Sequence, residues 1–229
     1  MKKKIIIIFI FLILLLSFIY LNTYYKAIDV DKYLKNNNDV EVLKIKEGYY
    51  FDGDGGKDVI IFYPGAKVEY ISYAPLMNKL AKEGIDTILL EMPFNIAFFD
   101  IKAANRVIDK YKYDNYYIMG HSLGGVVATS INIDKVKGYI LLASYSTNKI
   151  ENEREVLSIY GDKDKVLNMK EYNKNRVNLP LKYKEVVIKG GNHANFGDYG
   201  RQKKDGKASI SRDKQQSITV KEIKEFLYN

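Results

Sequence analysis

Short runs that are apolar at nearly every position, each bounded by turn residues and followed by a helical pattern, constrain this chain more than any other feature. Val59–Tyr63, Thr87–Glu91 and Tyr116–Met119 are the clearest, and Tyr139–Ala143, Val156–Tyr160 and Tyr183–Ile188 continue the series. A strand with one wet face alternates polar and apolar residues, so a strand apolar on both faces needs cover on both sides. The intervening segments supply that cover. Ile71–Lys82 has amphipathic spacing and is closed by Gly84, Asp100 is positioned to cap a helix running to about Tyr111, Leu123–Ile131 reads as helix, and Ile218–Leu227 belongs to a closing helix. Val40–Lys46 and Tyr49–Phe51 suggest an initial hairpin, followed by a turn over Asp52–Gly56. The expectation is an α/β fold: a doubly wound, mostly parallel sheet with helices on both faces. Such sheets carry their working loops at the carboxyl ends of the strands.

The chain has 229 residues, 47% of them hydrophobic, enough for one well-buried core and too few for two comfortable domains plus a membrane segment. Its net charge is +8, but Lys2, Lys3, Lys4 and Lys26 contribute half of that. From Asp29 onward the excess is only +4, with lysines interspersed among acids, which reads as solvated helix faces and argues against a nucleic-acid partner. There is no cysteine, which excludes disulfides, thiolate metal sites and a cysteine nucleophile. Only His121 and His193 are available for histidine chemistry, so no metal site and no cofactor is expected.

Lys2–Lys4 precede an unbroken apolar run from Ile5 to Leu16 that continues to Leu21. At about 1.5 Å per residue this reaches roughly 25 Å, near the short end of a membrane-spanning helix. Leu21–Ala27 offer no small-x-small cleavage pattern, so residues 1–28 are expected to form an uncleaved signal anchor and its flank. Lysines on the short side place that end in the cytoplasm and the folded region, 29–229, on the extracytoplasmic side. Cleavage and secretion is the alternative. The polar stretch Asp29–Asp39 looks like a spacer.

Gly120, His121, Ser122, Leu123 and Gly124 form G-x-S-x-G between a strand and a helix. A serine on so tight a turn has its hydroxyl thrust above the sheet, where the helix N-terminus adds positive potential. A serine hydroxyl is a weak nucleophile until a base takes its proton, a task histidine performs best near neutral pH. His121 is next to Ser122 and should point elsewhere, to pack or hydrogen-bond inside the turn. His193 follows the strand Tyr183–Ile188, and by elimination and position it is the base. Negative charge developing on an attacked carbonyl needs two backbone N–H donors, one of which should be that of Leu123.

Five segments together resemble the α/β-hydrolase family: YPGAKVEYISYAPL at 63–76, EMPFNIAFFD at 91–100, GHSLGG at 120–125, SIYGDKD at 158–164 and GGNHANFGDYG at 190–200. They are most similar to its compact dienelactone-hydrolase and carboxylesterase branch. The resemblance implies a nucleophile elbow at Ser122 and a catalytic histidine at His193. It also implies an acid after Gly161 and two further residues, which selects Asp164 and makes Asp162 a turn residue. By the same resemblance Pro64–Ala66 is an oxyanion turn with Ala66 as second donor and Lys67 as nearest alternative. Dienelactone hydrolases use a cysteine nucleophile, which this chain lacks, so a serine esterase-like reaction is implied instead.

Only about a dozen residues separate Ser144 from Val156, the place where larger relatives insert a lid, so no large cap domain is expected. Phe94, Phe98, Phe99 and Tyr145 are candidate apolar lining. These features lead to hydrolysis of a carboxylic ester or thioester through an acyl-serine. The partners would be a small ester or acyl substrate and the lipid bilayer, with a lipase or lysophospholipase as a variant. The competing reading is a membrane-tethered, non-catalytic binding protein on the same fold.

Overall fold

The computed structural model describes residues 2–228. Eight strands form one sheet: β1 (Glu41–Ile45), β2 (Gly48–Asp52), β3 (Asp58–Tyr63), β4 (Asp86–Leu90), β5 (Asn115–His121), β6 (Val136–Leu142), β7 (Glu155–Gly161) and β8 (Lys184–Ile188). Their spatial order is β1-β2-β4-β3-β5-β6-β7-β8. The β1–β2 and β2–β4 pairs are antiparallel and every other pair is parallel. The helices are α1 (Lys2–Asn22), α2 (Ala74–Ala81), α3 (Ala103–Lys110), α4 (Leu123–Ala128), α5 (Met169–Asn175) and α6 (Arg212–Tyr228).

The continuous apolar runs have the anticipated cause. All six residues of β3 are buried. Ile60 and Phe62 pack with Leu76, Met77 and Leu80 of α2 and with Val220 and Ile223 of α6. Val59, Ile61 and Tyr63 point the other way, into a core shared with Val107 and Ile108 of α3 and Val127 of α4. Each such fully buried Val, Ile or Phe contributes roughly 1.5–3 kcal/mol relative to exposure, which is why a two-faced apolar strand selects a three-layer architecture.

From β3 the chain first builds β4 on one side and then returns to lay β5 on the other. The loops leaving β3 and β5 therefore diverge, α2 covering one face and α4 the other. Their carboxyl ends flank a crevice, the place where open α/β sheets bind ligands. Between β6 and β7 only a short connection runs, with no cap over the sheet edge.

Several local expectations are corrected. The amphipathic stretch from Ile71 is split into a 3-10 turn, Tyr70–Tyr73, and α2, because Pro75 can occupy only the first turn of an α-helix. Asp100 does not cap α3: it closes a separate 3-10 turn, Ala97–Asp100, and receives both Arg106 guanidinium nitrogens, at 2.9 and 2.5 Å. The helix after Ser122 stops at Ala128 rather than Ile131. Helix α5 was not anticipated. It is capped by Asn168, whose Oδ1 accepts from the amides of Lys170 and Glu171.

The N-terminal apolar run is a 21-residue helix, about 32 Å long, with its apolar side chains exposed along its length. The following segment is no loose spacer. Tyr25 forms a bridge with Val68, the Ile28 amide donates to Asp198 O at 2.8 Å, a 3-10 turn spans Asp31–Leu34, and Val30 and Val40 are buried.

Candidate active site

Ser122 stands between β5 and α4 with φ 53° and ψ −124°, a conformation that costs an L-residue about 1–3 kcal/mol and persists only if its surroundings over-determine it. They do. The Ser122 amide donates to Leu142 O at 2.9 Å, while its carbonyl accepts from Ser144 Oγ at 2.6 Å and from the Gly125 amide at 3.0 Å. The turn closes because its glycines have no side chain. A Cβ on Gly120 would lie 2.4 Å from Gly124 backbone, and one on Gly124 would lie 2.3 Å from Tyr63 O.

His193 follows β8 and its imidazole is almost fully buried. Its Nδ1 lies 2.7 Å from Asp164 Oδ2, and the Asp164 side chain is equally buried. The other oxygen of Asp164 accepts from the amides of Val166 and Leu167, both at 2.8 Å. A carboxylate so held accepts the Nδ1 proton, which leaves Nε2 as the ring's free lone pair. Among the described residues that Nε2 has no hydrogen-bond partner. His193 and Ser122 both line one cleft of about 170 Å³. Asp162, two residues before Asp164, is tied instead to the Gly190 amide at 2.6 Å and to Lys163.

The loop after β3 packs against the turn that carries Ser122: a Cβ on Gly124 would lie 2.4 Å from Pro64 O, and one on Gly65 2.9 Å from His121 Nδ1. Neither the Ala66 amide nor the Leu123 amide donates to another described residue, whereas the Lys67 amide is used on Asn95 O at 2.7 Å. His121, adjacent to the serine, points into the protein. Burial, and then the His193 ring with its centroid 4.5 Å away, hold its imidazole well below the ordinary 6.5, so it is neutral. Tyr73 Oη donates to His121 Nδ1 at 2.8 Å and accepts from the Gly65 amide at 3.2 Å. Burial pushes the Tyr73 hydroxyl above its usual range, so it keeps its proton. Through this chain of bonds His121 holds the turn at Gly65.

Four supporting residues were not legible in the sequence. Tyr73 is one. Asp205 accepts from the amides of His193 at 3.4 Å, Ala194 at 2.9 Å and Gly206 at 2.7 Å. Gln215, fully buried on α6, pairs both its amide groups with the backbone of Asn192, at 3.0 and 2.8 Å. Ser144, the fourth, holds the serine turn as described above. Nothing in local sequence pattern distinguishes these from ordinary surface residues.

Of the candidate lining residues, Tyr145 borders the cleft. Phe94, Phe98 and Phe99 do not: they belong to the loop after β4 and are each about half exposed. That loop spends its core contacts on Met92 and Ala97, which leaves the three rings facing outward.

Solved structures similar to this chain share its fold at low identity. Est1E from Butyrivibrio proteoclasticus is 15% identical, covering 83% of this chain and 98% of its own, with a TM-score of 0.55. A dienelactone hydrolase from Anabaena variabilis is 12% identical, covering 82% and 99%, with a TM-score of 0.58. Carboxyl esterase 2 from Tuber melanosporum is 11% identical, covering 90% and 91%, with a TM-score of 0.56. No curated protein matches the chain in sequence. Residues 59–217, the span from β3 to α6 that holds Ser122, Asp164 and His193, match the Alpha/beta hydrolase family, and the chain belongs to it.

Proposed function

We propose that the chain is a membrane-anchored serine hydrolase that cleaves carboxylic esters or thioesters through an acyl-serine. The observation that carries this reading is the buried His193–Asp164 pair, which leaves Nε2 without a partner among the described residues while His193 lines one cleft with the strained Ser122. In this mechanism Ser122 Oγ attacks the acyl carbonyl carbon as its proton passes to His193 Nε2. Asp164 keeps the ring in the tautomer that makes Nε2 the acceptor and stabilises the imidazolium. The Ala66 and Leu123 amides receive the carbonyl oxygen as it gains negative charge. Collapse expels the alcohol or thiol, which takes the proton from Nε2. Water then attacks the acyl-serine by the same route, giving the free acid and restoring the serine.

The anchor is supported by how the chain leaves α1. The Tyr25 amide donates to Lys67 O at 2.7 Å, the Glu69 amide to Tyr25 O at 2.9 Å, and the Ala27 amide to Glu69 Oε2 at 2.8 Å. Cleavage near Ala27 would cut through these bonds, which favours an uncleaved helix, and Lys2–Lys4 on its short side favour a catalytic domain on the extracytoplasmic side.

A fluorophosphonate probe tests the enzymatic reading directly. One label per chain is expected on the full-length protein and none on Ser122→Ala. A folded wild-type protein that resists labelling would favour a binding protein that has kept the fold.

A further inference from the structure

The carboxyl edge of the sheet carries two things besides the Ser122 cleft. One is the exit of the apolar helix. Lys67, in the loop after β3, donates its ammonium group to Tyr20 O and to Leu21 O in the last turn of α1, and lies 4.6 Å from the centre of the Tyr20 ring. The other is an aromatic patch in the loop between β4 and α3. Phe94, Phe98 and Phe99 are 47%, 51% and 54% exposed, and Phe94 and Phe99 meet edge to face with centroids 5.6 Å apart. The two features are mechanically joined, since the Lys67 amide donates to Asn95 O inside the phenylalanine loop.

That loop is also held in place. Phe94 and Asn95 have φ of 53° and 56°, and Lys67 has φ 62°, so three non-glycine residues take up left-handed backbone where the loops meet. The turn Ala97–Asp100 packs on α4, the helix that begins next to Ser122. A cluster of clustered aromatic rings kept outward at such cost marks a contact surface, whereas scattered apolar side chains do not. Leu181, 90% exposed, lies before β8, at the opposite, amino edge of the sheet.

From this juxtaposition we infer that the carboxyl face rests on the bilayer that holds α1, with Phe94, Phe98 and Phe99 in the lipid interface, and that Ser122 acts on acyl esters resident in that bilayer. The inference rests on the anchored-hydrolase reading and gives it a substrate class. The helix exit fixes the distance: Lys67 and the phenylalanine loop sit at the last turn of α1, the depth at which a spanning helix leaves hydrocarbon and where aromatic rings are favoured. The cleft has about 170 Å³, below the roughly 300–1,000 Å³ of pockets that engulf a drug-sized ligand. It takes the reacting ester group while the rest of a long acyl chain stays among its neighbours in the membrane.

The chain contains no tryptophan, so single tryptophans report position without background. Phe98→Trp and Leu181→Trp in the full-length chain, reconstituted in unilamellar vesicles of phosphatidylcholine brominated near the head-group end of its acyl chains, separate the two edges. About half of the Phe98→Trp emission is expected to be quenched, for a ring lying roughly 5–10 Å into the interface, and none of the Leu181→Trp emission. Equal behaviour of the two positions overturns the orientation. For the substrate, the Phe98→Ser/Phe99→Ser variant is expected to lose about ten-fold in turnover of a long-chain acyl ester embedded in the same vesicles while hydrolysing water-soluble p-nitrophenyl acetate like wild type. Parallel loss on both esters, or no loss on either, overturns the bilayer substrate. If wild type hydrolyses neither ester and takes no fluorophosphonate label, the hydrolase reading itself fails, while quenching still decides the orientation.

Discussion

Tyr73 and His121 meet at 2.8 Å, hydroxyl to Nδ1, against the turn that carries Gly65 and Ala66. The pair joins the residue preceding Ser122, the proposed nucleophile, to the loop proposed to hold the acyl oxygen, so it sets the spacing between the two halves of the candidate site. Tyr73→Phe leaves the ring packing in place but strips a partner from two buried groups, the Gly65 amide and His121 Nδ1. A stability loss of about 1–3 kcal/mol is expected in urea unfolding of the detergent-solubilised chain. Ester turnover should fall in kcat more than in KM, because donors to the oxyanion matter most in the transition state. Unchanged kcat would show that the turn at Gly65 is positioned without Tyr73.

Asp164 and Asp162 are two residues apart and have distinct surroundings, one bonded to His193 and the other to the Gly190 amide. Asp164→Asn is expected to lower kcat by about 10³–10⁴-fold, through loss of the charge opposite the imidazolium and inversion of the ring tautomer. Asp162→Asn keeps an acceptor for the Gly190 amide and should cost less than about ten-fold. Steady-state kinetics on any accepted ester distinguishes them, and the reverse ranking would move the acid to Asp162.

His121 makes stability depend on pH in a defined direction. Burial lowers its folded-state pKa well below 6.5, so under acid conditions the unfolded chain binds a proton that the folded chain excludes. Its contribution is fully present above about pH 6.5 and is lost as pH falls below that value, at up to about 1.4 kcal/mol per pH unit. Urea unfolding of wild type and His121→Asn at pH 7 and pH 5 should show the smaller drop in the variant. Equal drops would mean that His121 titrates freely in the folded state.

Fractionation checks the anchor. The full-length chain is expected in the membrane fraction at unchanged mass, resistant to high salt and released only by detergent. Release by salt would assign the attachment to lysines, since exposed charge contacts are screened at high ionic strength. A mature N-terminus near Ala27 would establish a secreted protein.

Much of this protein is determined by its sequence alone. The apolar runs over β3 to β7 could be satisfied only by burial on both faces, and the glycines around Ser122 only by a turn too tight for a Cβ, so the sheet, its helical layers and the position of the serine follow from local pattern. The histidine followed from scarcity, two being present and one adjacent to the serine. Capping was less legible. Asp100 had the right chemistry for a helix N-terminus, but its carboxylate is taken by Arg106 and the helix begins later. The supports of the site were decided only by tertiary structure, because each acts across a long stretch of chain. Tyr73 reaches His121 over 48 residues, Gln215 reaches Asn192 over 23, and Lys67 reaches the end of α1 over 46. A hydrogen bond between such distant residues leaves no periodicity to read, since its partner becomes a neighbour only after the sheet has assembled. The same holds for Phe94, Phe98 and Phe99. Their composition suggested a pocket, and the packing of Met92 and Ala97 turned them to the surface.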